Sequence, residues 1–154
     1  MSTMPNVGEK APEFVLKNQD GEEIKLKDFL GKQNVVLYFY PKDDTPGCTK
    51  EACNFRDHLP DFTALDASIL GVSVDSVHSH KKFVEKYQLP FQLLSDAEKS
   101  VSKAYGVLNE KGNAKRVTFI IDKQGIIRQV FPNVKVDGHW EEVRRSLEAL
   151  NVSV

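Results

Sequence analysis

The sequence predicts an α/β protein whose mixed β-sheet is covered by helices and begins with an N-terminal β-hairpin. Two observations lead to this fold class. Apolar runs of strand length alternate with segments whose apolar residues recur at helical spacing. Late in the chain, two strand-like runs at 116–122 and 126–131 are separated only by a short turn, which indicates an antiparallel pair in the sheet.

The first half of the chain contains a hairpin, a buried strand and a long helical pattern. Residues 14–16 and 24–26 flank an Asp-Gly pair, which is typical of a hairpin turn. Residues 34–40 form a nearly continuous apolar run, as in a central strand that is buried on both faces. Apolar residues then recur at helical spacing from 46 to 65, and Pro60 is expected to end or kink this helix.

The second half continues the alternation. Residues 68–74 predict another buried strand, and 77–87 predict a helix that ends before Leu89-Pro90. Ser95-Asp96 can cap a helix that runs to Tyr105 and is closed by Gly106. The last helix has an apolar stripe made of Trp140, Val143, Leu147 and Leu150.

Length and charge exclude several classes of protein. The 154 residues suit one domain, and no repeat or linker divides them, so we predict a single domain over residues 1–154. With 22 acidic and 21 basic residues, the chain has no basic face for nucleic acid. We expect a cytoplasmic protein, because no secretory or membrane-spanning segment is present. In that compartment, two cysteines favour reactive thiols over a structural disulfide.

Both cysteines follow the predicted central strand, within residues 39–56, where a turn-rich loop leads into a helix. Thr45 suits the N-cap, where its hydroxyl would accept from a backbone N–H, and Pro46 suits the first helical position. Cys48 then lies in the first turn, where free N–H groups and the helix dipole favour a thiolate. We therefore predict a reactive nucleophile at Cys48 and not an inert buried thiol.

This stretch also resembles a known family. The pattern Pro41-x-x-x-Thr45-x-x-Cys48 after an apolar strand is similar to the active-site signature of the peroxiredoxins. A second cysteine at Cys53 and the Arg-Val-Thr-Phe-Ile-Ile-Asp segment that starts at Arg116 resemble the bacterioferritin-comigratory-protein, or Q-type, subgroup. The resemblance covers nearly the whole chain.

The resemblance implies a thioredoxin-like fold and thiol-dependent reduction of hydroperoxides. It implies that Cys48 is the peroxidatic cysteine, that Cys53 resolves its sulfenic acid as a disulfide, and that a thioredoxin-like dithiol reduces this disulfide. Thr45 matches the hydroxyl partner, Pro41 the loop-shaping proline and Arg116 the active-site arginine. We expect a monomer or weak homodimer.

The chemistry of peroxide reduction explains these residue types. When a thiolate attacks one peroxide oxygen, negative charge grows on the other, so hydrogen-bond donors must surround both oxygens. First-turn N–H groups, the Thr45 hydroxyl and an arginine can supply them, and Pro41 can shield the sulfenic acid from water. Nothing in this chemistry requires a metal or an organic cofactor.

The spacing of the two cysteines conflicts with an intact helix. Five helical residues correspond to a rise of about 7.5 Å and a rotation of about 140°, so the Cα atoms of Cys48 and Cys53 would lie about 8.7 Å apart. A disulfide needs less than about 7 Å and converging Cβ vectors. If Cys53 resolves the sulfenic acid, the first turns of the helix must unwind in each cycle. The alternative is that Cys53 is a packed or idle thiol.

Other polar residues near the cysteines allow two interpretations. Arg116 alone would suggest a surface residue, but its adjacent apolar strand and the family resemblance favour the site. Arg56 suits a surface ion pair. Glu51 either orients an arginine or is solvated near the helix start, and Tyr40 either lines the pocket or packs in the core.

A metal site is disfavoured by helical geometry. Cys48, Cys53 and His58 are evenly spaced, but rotations of about 140° per step spread them around the helix. We assign no role to the remaining histidines and expect them to be solvated: His78, His80 and His139.

Two other functions remain as alternatives to a peroxidase. In the first, the chain is a non-enzymatic, redox-responsive binding or chaperone-like protein whose helix unwinds on oxidation and exposes Phe55 and Phe62 to a client. In the second, it is a general disulfide exchanger, although the four-residue gap between its cysteines differs from the CxxC of thioredoxins.

Overall fold

A mixed sheet of seven strands lies at the centre of residues 3–152, the range that the computed structural model describes. The strands are β1 (Val15–Asn18), β2 (Glu23–Lys25), β3 (Asn34–Phe39), β4 (Ala67–Ser73), β5 (Gln92–Ser95), β6 (Val117–Ile121) and β7 (Ile127–Phe131). Their order in the sheet is β2-β1-β5-β4-β3-β6-β7. The helices are α1 (Pro46–Asp57), α2 (Leu59–Thr63), α3 (Val77–Tyr87), α4 (Ser100–Ala104) and α5 (His139–Val152). None of the helices in this described range has the length and apolarity needed to cross a bilayer.

The sheet has a parallel centre and antiparallel margins. β3, β4 and β5 are parallel neighbours, and the long crossover connections that parallel strands require run through α1–α2 and through α3. The N-terminal hairpin β1–β2 joins one side antiparallel to β5, and β6–β7 joins the other side antiparallel to β3. The predicted mixed sheet with an N-terminal hairpin is therefore confirmed.

The side chains of β3 point alternately to opposite faces of the sheet, and a separate hydrophobic core covers each face. Val35, Leu37 and Phe39 face one core, which includes α4 and the segment before β1. The intervening side chains, Val36 and Tyr38, face the other core, where α1, α2, α3 and α5 pack. All six residues of β3 are buried, as expected for a strand covered on both faces.

Three elements differ from the sequence-based expectation. The short strand β5 was not predicted, because Gln92–Ser95 has only two central apolar residues. The predicted helix up to Tyr105 is reduced to Ser100–Ala104, since both Asp96 carboxylate oxygens accept backbone N–H groups that begin only at Val101. The predicted break near Pro60 occurs at His58, where α1 ends and α2 begins.

Candidate active site

The candidate site lies where the carboxyl end of β3 leads into α1. β3 ends at Phe39 and α1 begins at Pro46. β6 is antiparallel to β3 and pairs Val117 with Phe39, so the amino end of β6 lies beside the carboxyl end of β3. This register brings Arg116, the residue before β6, next to the first turn of α1 and Cys48.

The start of α1 follows the predicted pattern with one difference. Thr45 is the N-cap with extended backbone, Pro46 occupies the first helical position, and Cys48 is 2% exposed in the first turn. The expectation that the Thr45 hydroxyl accepts from a backbone N–H was wrong. This hydroxyl instead donates to the carbonyl oxygen of Lys42 at 2.9 Å, which satisfies an acceptor in the preceding turn.

Arg116 connects the cysteine to a buried acid. Its Nη2 lies 3.3 Å from Cys48 Sγ, and its Nη1 donates to Glu51 Oε1 at 2.7 Å. The Arg116 side chain is only 20% exposed, so it is not a solvated surface residue. Gly47 makes room for the guanidinium, since an added Cβ there would lie 3.0 Å from Arg116 Nη2. The guanidinium of Arg116 therefore contacts the sulfur of a cysteine that lies at the amino end of α1.

Glu51 is the buried acidic partner of Arg116. Its side chain is 2% exposed, and within the described residues its Oε2 has no hydrogen-bond partner. Burial raises the pKa of Glu51 to about 7, although Arg116 opposes this shift. Desolvation lowers the pKa of Arg116, but Glu51 and Cys48 outweigh it, and the net pKa is raised. The interpretation of Glu51 as a solvated residue was wrong.

Replacing Glu51 with glutamine is expected to reduce the pH dependence of stability. The pKa of Glu51 in the folded protein, about 7, lies above its ordinary value of 4.5. The folded protein therefore binds this proton more tightly than the unfolded chain does. The resulting contribution to the free energy of unfolding is complete below pH 4.5 and is lost as pH rises through 7. This difference corresponds to about 3 kcal/mol of unfolding free energy. Urea unfolding at pH values below 4.5 and above 7 measures this difference in the free energy of unfolding.

The control for this experiment is Glu110→Gln, because Glu110 is exposed. The loss of unfolding free energy across the window should be smaller in Glu51→Gln than in the wild type by about 3 kcal/mol, and unchanged in Glu110→Gln. An equal pH dependence in Glu51→Gln and the wild type would show that the buried carboxyl does not carry this cost.

Two further predicted site residues, Pro41 and Cys53, lie on either side of Cys48 along the chain. Pro41 is half-buried at the start of the loop between β3 and α1. Cys53 is half-buried on the same helix, and both cysteines are free thiols. The helix is continuous from Pro46 to Asp57 and so holds the cysteines in the arrangement that cannot form a disulfide. Arg56 pairs with Asp57, as expected for a surface residue, and also donates to the Tyr87 carbonyl.

Two histidines that were expected to be solvated are buried. His80 is 0% exposed and His139 is 1% exposed, whereas His78 is exposed. His139 Nε2 lies 2.8 Å from the Thr118 hydroxyl. Burial lowers the pKa of His139, although Glu142 opposes this effect. Helical spacing could have predicted that both histidines are buried. His80 precedes the apolar residue Phe83 by one helical turn, and His139 precedes Val143 by one turn.

His80 belongs to a buried polar cluster below the loop, which the sequence did not reveal. Its Nδ1 lies 2.7 Å from Asp43 Oδ2, and its Nε2 lies 2.9 Å from the Leu94 carbonyl. Asp43 also accepts from the Tyr40 hydroxyl, so Tyr40 packs in the core and bonds to the loop. Asp43, Asp75 and His80 place ligand-type atoms within 4.8 Å of one another. These atoms are held by hydrogen bonds inside the protein, so the cluster serves to fix the loop.

The chain is similar to known proteins in both sequence and overall structure. The AhpC/TSA family matches residues 7–130. Peroxiredoxin Bcp of Bacillus subtilis is 47% identical over 94% of this chain and 96% of its own length. A mutant PrxQ of Xylella fastidiosa superposes with a TM-score of 0.91 at 38% identity, covering 98% of this chain and 99% of that chain. The bacterioferritin comigratory protein of Xanthomonas campestris, studied for alkyl peroxide reduction, has a TM-score of 0.84 at 36% identity, covering 88% and 90%. These neighbours confirm the predicted thioredoxin-like fold.

Proposed function

This chain belongs to the AhpC/TSA family as a peroxiredoxin of the Bcp or Q type, a peroxidase, and from this premise we propose that Cys48 is its peroxidatic cysteine and Cys53 its resolving cysteine. The observation that carries the proposal is the 3.3 Å contact between Arg116 Nη2 and Cys48 Sγ at the amino end of α1. A buried thiol with a fixed cation and a helix terminus facing its sulfur is suited to act as a thiolate nucleophile.

In the proposed first step, the Cys48 thiolate attacks one oxygen of the hydroperoxide and the O–O bond breaks. Cys48 is oxidised to a sulfenic acid, and the leaving oxygen takes a proton from solvent to become water or an alcohol. Arg116 and the first-turn N–H groups donate to the oxygens as charge moves onto the leaving atom. Thr45 is proposed as a further hydroxyl contact and Pro41 as the side chain that shields the sulfenic acid.

In the proposed second step, the Cys53 thiol attacks the sulfenic sulfur, a disulfide forms and water leaves. Because α1 is continuous across both cysteines, its first turns must unwind before the two sulfurs can meet. A dithiol reductant then exchanges with the disulfide, and both cysteines return to thiols. The first turns of α1 must therefore be helical when Cys48 attacks the peroxide and unwound when Cys53 attacks the sulfenic acid.

Peroxiredoxins act on hydroperoxides with thioredoxin-like reductants, and we propose that this chain does the same. Hydrogen peroxide and organic hydroperoxides are both proposed substrates, and the alkyl peroxide reduction reported for the Xanthomonas relative supports the second class. We also propose that the chain works in the cytoplasm, as a single domain over residues 1–154 and as a monomer or weak homodimer.

The proposal is tested with Cys53→Ser. The wild type is expected to consume peroxide over many turnovers when a thioredoxin system supplies electrons. The Cys53→Ser variant is expected to consume one equivalent of peroxide and then to stall or become overoxidised, because its sulfenic acid has no resolving thiol. An added small thiol should restore turnover. Peroxide consumption and intact mass measure both stages.

Thr49→Ser is the matched control, because it changes one side chain of α1 and leaves both cysteines in place. It should retain full turnover with the thioredoxin system. Multiple turnovers by Cys53→Ser with that system alone, at the rate of the wild type, would rule out Cys53 as the resolving residue.

A further inference from the structure

The loop that enters α1 is attached to α3 through two consecutive acids. Asp43 is buried against His80 and also accepts from the Ser79 hydroxyl at 2.8 Å. The next residue, Asp44, accepts from Lys86 Nζ at 2.8 Å and from the Tyr87 hydroxyl at 2.7 Å. The amino side of the cysteine segment is therefore held by one face of α3.

The carboxyl side of the same segment is attached to α3 as well. Arg56, in the last turn of α1, donates from Nη1 to the Tyr87 carbonyl oxygen at 2.7 Å. Tyr87 thus contacts both flanks of the segment: its hydroxyl bonds Asp44 before α1, and its carbonyl bonds Arg56 near the end of α1. Both cysteines lie between these two attachment points.

Asp44 is also the point of backbone strain in this connection. Its φ is 55°, in the left-handed region that costs energy for a residue with a side chain. Thr45 immediately after it is the N-cap, so the backbone of Asp44 sets the direction in which the chain enters α1. The bonds to Lys86 and Tyr87 favour this conformation, and they also hold the pKa of Asp44 below its usual range.

We propose that Tyr87 is a positioning residue that holds the two flanks of the Cys48–Cys53 segment together and thereby opposes the unwinding of α1. The inference rests on the proposed function, since it concerns the step in which Cys53 meets oxidised Cys48. When the bond to the Tyr87 hydroxyl is absent, the left-handed backbone of Asp44 loses one of the contacts that support it, while the helix remains the main form of the reduced protein. The folded helix is then less favoured relative to the unwound chain.

This role separates two steps of the reaction. Peroxide attack uses the helical form, in which Arg116 contacts Cys48. The hydroxyl and the carbonyl of Tyr87 form hydrogen bonds with Asp44 and Arg56 instead. Resolution uses the unwound form, whose population depends on the bond between Tyr87 and Asp44. A change at Tyr87 should therefore alter disulfide formation and overoxidation while peroxide attack stays the same.

The test is Tyr87→Phe, which removes the hydroxyl and keeps the ring and the carbonyl. Disulfide formation after one equivalent of peroxide is expected to be about three- to tenfold faster than in the wild type, as for loss of one solvent-exposed hydrogen bond. Less sulfinic acid should form at high peroxide, and the rate of peroxide attack should change by less than about twofold.

The chain contains its own optical probe for this experiment. Trp140 is the single tryptophan, and its ring stacks on His58 with ring centroids 3.4 Å apart. His58 directly follows α1, so the fluorescence of Trp140 should respond when the helix unwinds. Stopped-flow fluorescence and the mass of acid-quenched samples then resolve peroxide attack from disulfide formation.

Lys81→Met is the matched control, because Lys81 lies on α3 but pairs with Asp20 in the β1–β2 turn. Both rates should equal those of the wild type. Asp44→Asn is the second variant, since it weakens the same contact from the other side and asparagine tolerates the left-handed backbone. It should also accelerate disulfide formation, and because it weakens the Lys86 pair as well, the double variant should differ little from Asp44→Asn alone.

Equal or slower disulfide formation in Tyr87→Phe, with normal disulfide formation in the wild type, would overturn the role of Tyr87. Additive effects of Tyr87→Phe and Asp44→Asn would overturn it too, since the two residues would then not act through one contact. Failure of the wild type itself to form the Cys48–Cys53 disulfide is a separate result, which would instead reject the proposed function.

Discussion

Cys48→Ser is expected to lower the rate of peroxide consumption by about a thousandfold or more, because a serine hydroxyl is not ionised at neutral pH and is a weak nucleophile. Serine is nearly isosteric with cysteine, so the buried first turn of α1 should keep its structure. The measurement is peroxide loss in the presence of a thioredoxin system, over a range of peroxide concentrations.

Cys53→Ser is the matched control for this loss, since it removes the other thiol of α1 and should retain the first turnover. Circular dichroism should show that both variants fold. A Cys48→Ser variant that consumes peroxide as fast as the wild type would contradict the role of Cys48, and with it the mechanism derived from the site.

Arg116→Met is expected to slow peroxide attack by about a hundredfold, because it removes a donor that faces both the sulfur and the place where negative charge develops. Arg116→Lys should recover only part of the rate. A single ammonium cannot reproduce the two separate contacts that the guanidinium makes with Cys48 and Glu51. Stopped-flow measurement of the second-order rate constant for oxidation distinguishes these effects from changes in resolution.

Arg128→Met provides the control, because Arg128 is an arginine of the neighbouring strand that pairs with Asp122 away from the site. It should retain the wild-type rate. If Arg116→Met stays folded and reacts within about threefold of the wild type, then the contact between Arg116 and Cys48 does not contribute to the attack.

Local sequence signals predicted the part of the site that is continuous in the chain. The apolar strand before residue 40, the N-cap at Thr45 and the proline at position 46 together predict where the helix starts, and hence that Cys48 lies in its first turn. These features depend on neighbours within a few residues, for which backbone propensities are sufficient.

The long-range part of the site was only partly predictable. The contact between Arg116 and Cys48 depends on the register of β6 against β3, which the sequence of either strand does not specify. The burial of Glu51 follows from that contact. Likewise, the bond between Asp43 and His80 joins a loop to a helix 37 positions later, and neither residue has a local pattern that indicates its partner.

This chain is a peroxidase of the AhpC/TSA family, so the alternative of a non-enzymatic redox-responsive protein is rejected. Unwinding of α1 nevertheless remains central to the mechanism. The continuous helix observed with both thiols free is the form that the mechanism requires for peroxide attack, and its opening on oxidation is the proposed change.

The most direct test of the mechanism is the mass of the peptide that contains both cysteines after one equivalent of peroxide. Cleavage before aspartate releases residues 44–56 as one peptide, because Asp44 and Asp57 bracket both thiols. The mechanism predicts that this peptide loses two hydrogens, as in a disulfide between Cys48 and Cys53 of the same chain. A cross-linked pair of these peptides, or a Cys48 sulfinic acid beside a free Cys53 thiol, would contradict it.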